Sequence, residues 1–332
     1  MQKSIIFTLL LALLGFGSTV ASAEQAAKTN PVVVASLHPL ALMAASVVPT
    51  AQLKMLVPPG MTPHDFSLRP SDIDMIQKAD VIIWTGAESE PYLQGFSKRW
   101  PEKHWINVSA GQDVRHTDPH WWFDPAAVQQ AQHRLASLLG KDSQPFDARL
   151  QQALDYSRNL LAPVQQRGFF VFHRAYDHWV EAMQLNQVGA FTLSPEQKPG
   201  LRTLQTMRQQ LERGDVVCVF SEPEFSPAMV DRLVDGIQVG RAELDPMALQ
   251  IALAADGYPR MLEDMAQRAE TCLTAVADKP ATALDGTVYE SGEDPHHHHH
   301  GAAADEGEDA DHHDDHDKEH DEDHDEDHHA EH

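Results

Sequence analysis

Cysteine is scarce: Cys218 and Cys272 are the only two in 332 residues. Two thiols exclude a disulfide-dense scaffold and a four-cysteine zinc site. Basic residues are scarce too, with 25 Lys and Arg against 50 Asp and Glu and a formal net charge of −25. That balance argues against nucleic acid and anionic membrane surfaces as partners. No His-Glu-x-x-His word occurs, so a helix-borne zinc hydrolase would lack its usual ligands and base. After Phe16 no apolar run is long enough to span a bilayer. The acidity is concentrated at one end. Residues 290–332 hold 19 acids against a single Lys, and 13 of the 21 histidines lie in 296–332. From Asp294 on there is almost no aromatic or branched apolar residue. Such a segment cannot bury enough surface to offset ordering entropy, and it is expected to be disordered when metal-free. The rest is ordinary in composition. With 42% hydrophobic residues and six Trp overall, it can build normal cores, and the length suggests about two domains.

The N-terminus has the pattern of a cleaved secretory signal. Met1-Gln2-Lys3 is a short positive start, Ile5 to Phe16 is the apolar core, and Ala21-Ser22-Ala23 is a small-x-small cleavage site. Residues 1–23 are therefore expected to be removed after Ala23. No Cys follows the apolar run, so no bacterial lipid anchor is expected. A soluble protein exported to an oxidising compartment is the result. In that compartment Cys218 and Cys272 are expected to pair. Their bridge would close a loop of about 55 residues, for which chain entropy gives ~4 kcal/mol as an upper guide.

Apolar runs at Val32–Ser36, Leu53–Val57, Val81–Trp84 and Trp105–Val108 read as strands, with helical patterns between them. Ser71 is expected to cap one of these helices, with Asp74 completing a capping box. Residues 125–139 and 145–166 read as helices with little strand between, and Pro163 is expected to kink or end the second. Strands then resume at Phe169–Phe172, Asn186–Phe191, Val216–Phe220 and Ile237–Leu244, followed by a helix over 247–273. Near-continuous apolar strands alternating with helices indicate α/β layers with parallel sheets. The expected divisions are a signal over 1–23, an N-terminal α/β lobe over 24–144, a linking helix over 145–167, a C-terminal α/β lobe over 168–277 and an acidic His-rich tail over 278–332.

Three histidines sit in loops or at strand ends: His64 in Pro63-His64-Asp65-Phe66-Ser67, His120 in Asp118-Pro119-His120-Trp121-Trp122, and His173 in Val171-Phe172-His173-Arg174-Ala175. Asp245 follows the last strand, in Leu244-Asp245-Pro246. Ligands of open α/β sheets gather at the carboxyl ends of strands. Three imidazoles with a carboxylate or water make a tetrahedral zinc site.

The words around these residues resemble periplasmic zinc-binding proteins of ABC importers, the ZnuA type. Gly60-Met61-Thr62-Pro63-His64-Asp65-Phe66-Ser67-Leu68-Arg69-Pro70 is similar to the family's first ligand segment, and Phe172-His173-Arg174-Ala175-Tyr176 to its third. Phe191 to Glu196 with Lys198-Pro199-Gly200, Phe220 to Phe225, and Leu244-Asp245-Pro246 resemble further segments, in order, across residues 31–275. The resemblance implies two (β/α) lobes with parallel sheets, one long rigid helix joining them, and metal held between the lobes. It implies His64, His120 and His173 as ligands and Asp245 as a carboxylate that coordinates in many relatives. It also implies the Cys218–Cys272 disulfide.

A third histidine is typical of the zinc members, and imidazole suits zinc where carboxylate suits manganese. Two features depart from the family pattern. Pro63 stands where some relatives have a ligating Glu, which leaves the fourth position to Asp245 or water. The His-rich stretch lies at the C-terminus instead of ahead of the second ligand, where His116 is the one histidine of a short loop. His38, His104, His133 and His178 are given no ligand role. Glu222 and Arg69 are candidates to orient the ligands.

The expected function is therefore a periplasmic, monomeric, non-enzymatic receptor. It would take Zn²⁺ as transported ligand, with no resident cofactor, and deliver it to an ABC permease and its ATPase. The tail would bind extra zinc. A manganese or iron receptor of the same fold and a secreted zinc hydrolase are the alternatives.

Overall fold

Strands form where the apolar runs predict them, and they assemble into two sheets of the same design. The computed structural model describes residues 31–112, 118–192, 199–226 and 228–276. The signal segment, His116, the residues from Leu193 to Lys198 and the acidic tail lie outside the described residues. In the first lobe β1 (Val33–Ala35), β2 (Leu53–Met55), β3 (Val81–Trp84) and β4 (His104–Asn107) pair in the order β2-β1-β3-β4. In the second lobe β5 (Gly168–His173), β6 (Asn186–Thr192), β7 (Cys218–Ser221) and β8 (Gly240–Glu243) repeat it as β6-β5-β7-β8. Every pairing is parallel. Parallel strands need crossover connections, and the helices supply them: α1 (His38–Ala44), α2 (Pro70–Lys78) and α3 (Pro91–Arg99) in the first lobe, α6 (Asp177–Met183), α7 (Leu201–Arg213) and α8 (Ala228–Leu233) in the second.

In chain order α4 (Pro125–Leu138), which packs on α1 and β4, and the linking helix α5 (Gln144–Leu161) stand between the two sheets. Asp124 caps α4 by accepting the amides of Ala126 and Ala127 at 2.8 and 3.1 Å. The linking helix α5 is shorter than the sequence pattern suggests. It ends at Leu161 and passes into a 3-10 turn at Ala162–Val164, because Pro163 has no amide to continue the ladder. The final helix α9 (Gly257–Thr274) packs along α5 and also touches α1 and β8.

Alternation along β5 divides the cores. Phe169 and Val171 join the core shared with the first lobe, α5 and α9, while Phe170 and Phe172 join a separate cluster with Val188, Phe191 and Met207. Successive strand side chains point to opposite faces. His173 therefore shares the face of Phe169 and Val171, the one that meets the first lobe. Cys218 on β7 and Cys272 on α9 are disulfide-bonded. The bond lies against Gly240, where a Cβ would come within 2.6 Å of the Cys272 carbonyl oxygen. Among the described residues no helix is long and apolar enough to cross a membrane.

Two local expectations are corrected. Helix α2 begins at Pro70, not after Ser71, and the Asp72 carboxylate accepts the Arg69 amide at 2.9 Å. Proline's fixed φ favours the first helical position, which moves the start forward. Residues 247–256 are turns instead of the first part of the last helix. There Asp245 accepts the amides of Met247 and Leu249, at 2.9 and 2.7 Å, and Ala248 takes a φ of 52°. This side-chain-to-backbone bonding competes with a helical start.

Candidate metal centre between the lobes

Each of the three histidines is delivered by a different local device. His64 lies in the loop that follows β2, whose Phe66 packs edge-on against Tyr92 at 5.3 Å. His120 precedes a 3-10 turn, Trp121–Phe123. That turn is anchored by Trp122 Nε1 donating to the Pro246 carbonyl at 2.9 Å and by Tyr258 Oη donating to the Trp122 carbonyl at 2.9 Å. His173 is the last residue of β5.

These devices bring the imidazoles to one point. His120 Nε2 lies 3.2 Å from His64 Nε2 and 3.4 Å from His173 Nε2. His120 and His173 are buried, 2% and 3% exposed, and His64 is half-buried. Two nitrogens each ~2.05 Å from a tetrahedral ion would stand roughly 3.3 Å apart, so the spacing fits zinc.

The far sides of two rings are held by carboxylates. His120 Nδ1 meets Asp118 Oδ1 at 2.5 Å, and His173 Nδ1 meets both oxygens of Glu222 at 2.7 Å. The hydrogen-bond network assigns the proton to each Nδ1, since a carboxylate accepts. The Nε2 lone pairs of His120 and His173 then face each other with no hydrogen between them, an arrangement that a cation relieves. Carboxylate partners of this kind fix ring orientation and raise ligand basicity.

Asp118 does more than hold His120. Its Oδ2 accepts the Asp177 amide at 3.0 Å, and its carbonyl pairs with His178 Nε2 at 2.9 Å, both at the start of α6 in the second lobe. His178 also packs against Trp121, with ring centroids 4.2 Å apart and the planes tilted by 33°. Burial alone would raise the Asp118 carboxyl, but the charge and hydrogen bonds of His120, with His178, hold it below the usual carboxylate range.

Among the described residues, the group of ligating side chains close enough to share one ion is His64, His120 and His173. Asp245 is not in it, and each of its oxygens accepts an amide of its own turn. Of the two residues marked as candidate orienters, Glu222 sits against His173. The guanidinium of exposed Arg69 pairs with Asp72 at 2.9 Å. His38 Nδ1 bonds the Met247 carbonyl at 3.1 Å, while His104 is exposed and exposed His133 pairs with Asp147. The sequence reading missed Asp118 and the part played by His178. A carboxylate two residues before a ligand histidine was the available signal for Asp118. Nothing local signals the contact of His178 with a loop 60 residues away.

Glu224 completes the electrostatics of the second lobe. Both its oxygens are buried without a hydrogen-bond partner from another residue. Burial, joined by the charges of Asp245 and Glu222 and opposed by His173, pushes its carboxyl up to about 7. A carboxyl raised in the folded state stabilises the fold below its unfolded value. That contribution is lost as pH rises through about 7. Glu224→Gln is therefore expected to stabilise the metal-free protein at pH 8 by roughly 1–2 kcal/mol, after allowing for the group's partial exposure. Little change is expected near pH 4.5. Denaturant unfolding at the two pH values checks this, and an equal effect at both would refute it.

Known proteins share this sequence pattern and this fold. Residues 33–272 match the family described as zinc-uptake complex component A, periplasmic (ZnuA). A high-affinity zinc uptake system protein ZnuA from Yersinia pestis is 32% identical over 291 residues, covering 73% of this chain and 91% of that one. Its counterpart from Haemophilus ducreyi is 28% identical over 320 residues, covering 82% and 100%. Among solved structures, a crystal structure of ZnuA has a TM-score of 0.60 at 22% identity, covering 73% of this chain and 98% of that one. The periplasmic zinc binding protein TroA from Treponema pallidum has 0.64 at 20%, covering 74% and 99%. At these identities the structural likeness speaks for the fold.

Proposed function

The chain belongs to the ZnuA family of periplasmic zinc-uptake components, and on that premise we propose that His64, His120 and His173 capture Zn²⁺ in the crevice between the lobes. Membership makes the protein a binding component of a zinc-uptake system and not an enzyme. The proposal goes further: the signal over 1–23 is cleaved after Ala23, the mature monomer works in the periplasm, and it hands zinc to an ABC permease driven by its ATPase. The lobe boundaries at 24–144 and 168–277, with the linker over 145–167, belong to the same reading. Asp245 shapes the turn beside the crevice, as its two amide contacts support.

The observation that carries the proposal is the convergence of three Nε2 atoms, two of them on rings whose Nδ1 atoms are held by carboxylates. Three imidazoles favour zinc over manganese. Packing of α9 along both α5 and α1 supports small lobe movements for release over wide hinge closure.

The tail, with its 13 histidines among acids, is a low-affinity store that keeps zinc near the tight site by tethering. Competition titration tests this division. Removing residues 290–332 is expected to lower total zinc per chain and leave the tightest site intact, with zinc preferred over manganese there. Loss of the tightest site on removal would contradict the reading.

A further inference from the structure

Glu90 is a fully buried carboxyl outside the histidine group. It ties together the ends of two paired strands. Its Oε2 accepts from Ser36 Oγ, just after β1, at 2.8 Å, and from the amide and Oγ1 of Thr85, just after β3, at 2.7 and 2.8 Å. Its Oε1 accepts from Tyr92 Oη at 2.9 Å. A carboxyl is tolerated in the interior only when its oxygens are met in this way, and these four donors make Glu90 a fixed point. Gly86 shapes the turn that leads to it. The Gly86 carbonyl accepts the Glu90 amide at 2.9 Å, its φ is 119°, and a Cβ there would lie 2.5 Å from Ser109 Oγ. Residues on both sides of Glu90 reach a ligand loop. Two positions on, the Tyr92 ring packs edge-on against Phe66 at 5.3 Å, and Phe66 is two residues after His64. One position back, Ser89 is buried and its hydroxyl donates to the Pro119 carbonyl, next to His120. That carbonyl also accepts the Trp121 amide at 3.0 Å, so the bond bears on the turn that delivers His120.

We infer that residues 85–92 position both first-lobe ligands: Glu90 is the anchor, Tyr92 sets the His64 loop through Phe66, and Ser89 sets His120 through the Pro119 carbonyl. The inference rests on metal capture by the three histidines. Ser89, Glu90 and Tyr92 are positioning residues, acting on the loops and not on the metal. Metal–ligand distances are held to within ~0.2 Å, so a loop left free to shift must be ordered when the ion arrives, at a cost in affinity. The His64 loop is also held at its start by the same strand end, where the Val57 amide donates to the Ser36 carbonyl at 2.9 Å. Sharing one anchor makes His64 and His120 a pre-set pair, to which the second lobe adds His173.

Cobalt(II) quenches tryptophan fluorescence at short range, which lets the crevice be titrated in the full mature chain. Trp122 lines the crevice with its ring 5.0 Å from that of His120, and no Trp lies in the tail. Tyr92→Leu is expected to weaken cobalt binding about 10-fold, and Ser89→Ala about 5-fold. Tyr92→Phe keeps the ring but frees the Glu90 Oε1, and is expected to lose about 3-fold. A merely structural role would weaken binding in any background, whereas a positioning residue acts through its ligand. Tyr92→Leu is therefore expected to have no further effect once His64 is replaced by Ala, and Ser89→Ala none once His120 is. Losses of the same size in those backgrounds would overturn the positioning roles, as would wild-type affinity in Tyr92→Leu or Ser89→Ala alone. Wild-type affinity in Tyr92→Phe would remove Glu90 as the anchor. Undiminished binding in His64→Ala and His120→Ala themselves would instead overturn the three-histidine site, and the inference with it.

Discussion

His120→Ala is expected to weaken zinc binding by more than about 100-fold. Its Nε2 is the one within 3.4 Å of both others, so its loss leaves two imidazoles that no longer share a near neighbour. Losing an outer carboxylate partner typically costs 10–100-fold in metal affinity, and losing a ligand removes more. Asp118→Asn should therefore fall inside that smaller range, because the ring of His120 remains but its orienting acceptor is weakened. His133→Ala, on the exposed pair with Asp147, should leave affinity unchanged. Chelator competition on the three variants checks the order. Equal affinities for His120→Ala and His133→Ala would remove His120 from the site.

Removing the disulfide is expected to have the largest effect on stability. Cys218 and Cys272 are 54 residues apart in sequence, and closing a loop of that length restricts the unfolded chain by ~4 kcal/mol in the entropic account. The bond also joins the central part of the second sheet to α9, which packs on the spine helix α5. A paired Cys218→Ser, Cys272→Ser variant should lose about 3–4 kcal/mol. That corresponds to a fall in Tm of roughly 8–15 °C for a body of this size. Thermal unfolding of the metal-free protein measures it. A fall of less than about 2 °C would mean that the strand–helix packing holds this region without the bridge.

The fold was legible in the sequence because its strands are short apolar runs bounded by Gly, Pro and polar residues. Val81–Trp84 is fully buried and is found where its pattern places it. Boundaries governed by one side chain were less legible. Pro70 moved the start of α2, Pro163 ended α5, and the carboxylate of Asp245 turned the expected opening of the last helix into a loop.

For the candidate site, the words around His64 and His173 and the place of His120 drew attention to all three histidines. What the sequence could not display is the layer behind them. Asp118 binds His120 locally but also takes an amide from a helix in the other lobe, 59 positions on. Contacts across such separations leave no period or spacing to read. Asp245, placed near the metal by resemblance, lies outside the histidine group.

The central claim is that one zinc ion sits among three imidazoles between the lobes. The X-ray absorption spectrum at the zinc edge, taken on residues 24–289 loaded with one equivalent of zinc, tests it most directly. The account predicts a four-coordinate ion with three imidazole nitrogens at ~2.0–2.1 Å. One imidazole or none, or a shell made mainly of carboxylate oxygens, would contradict it.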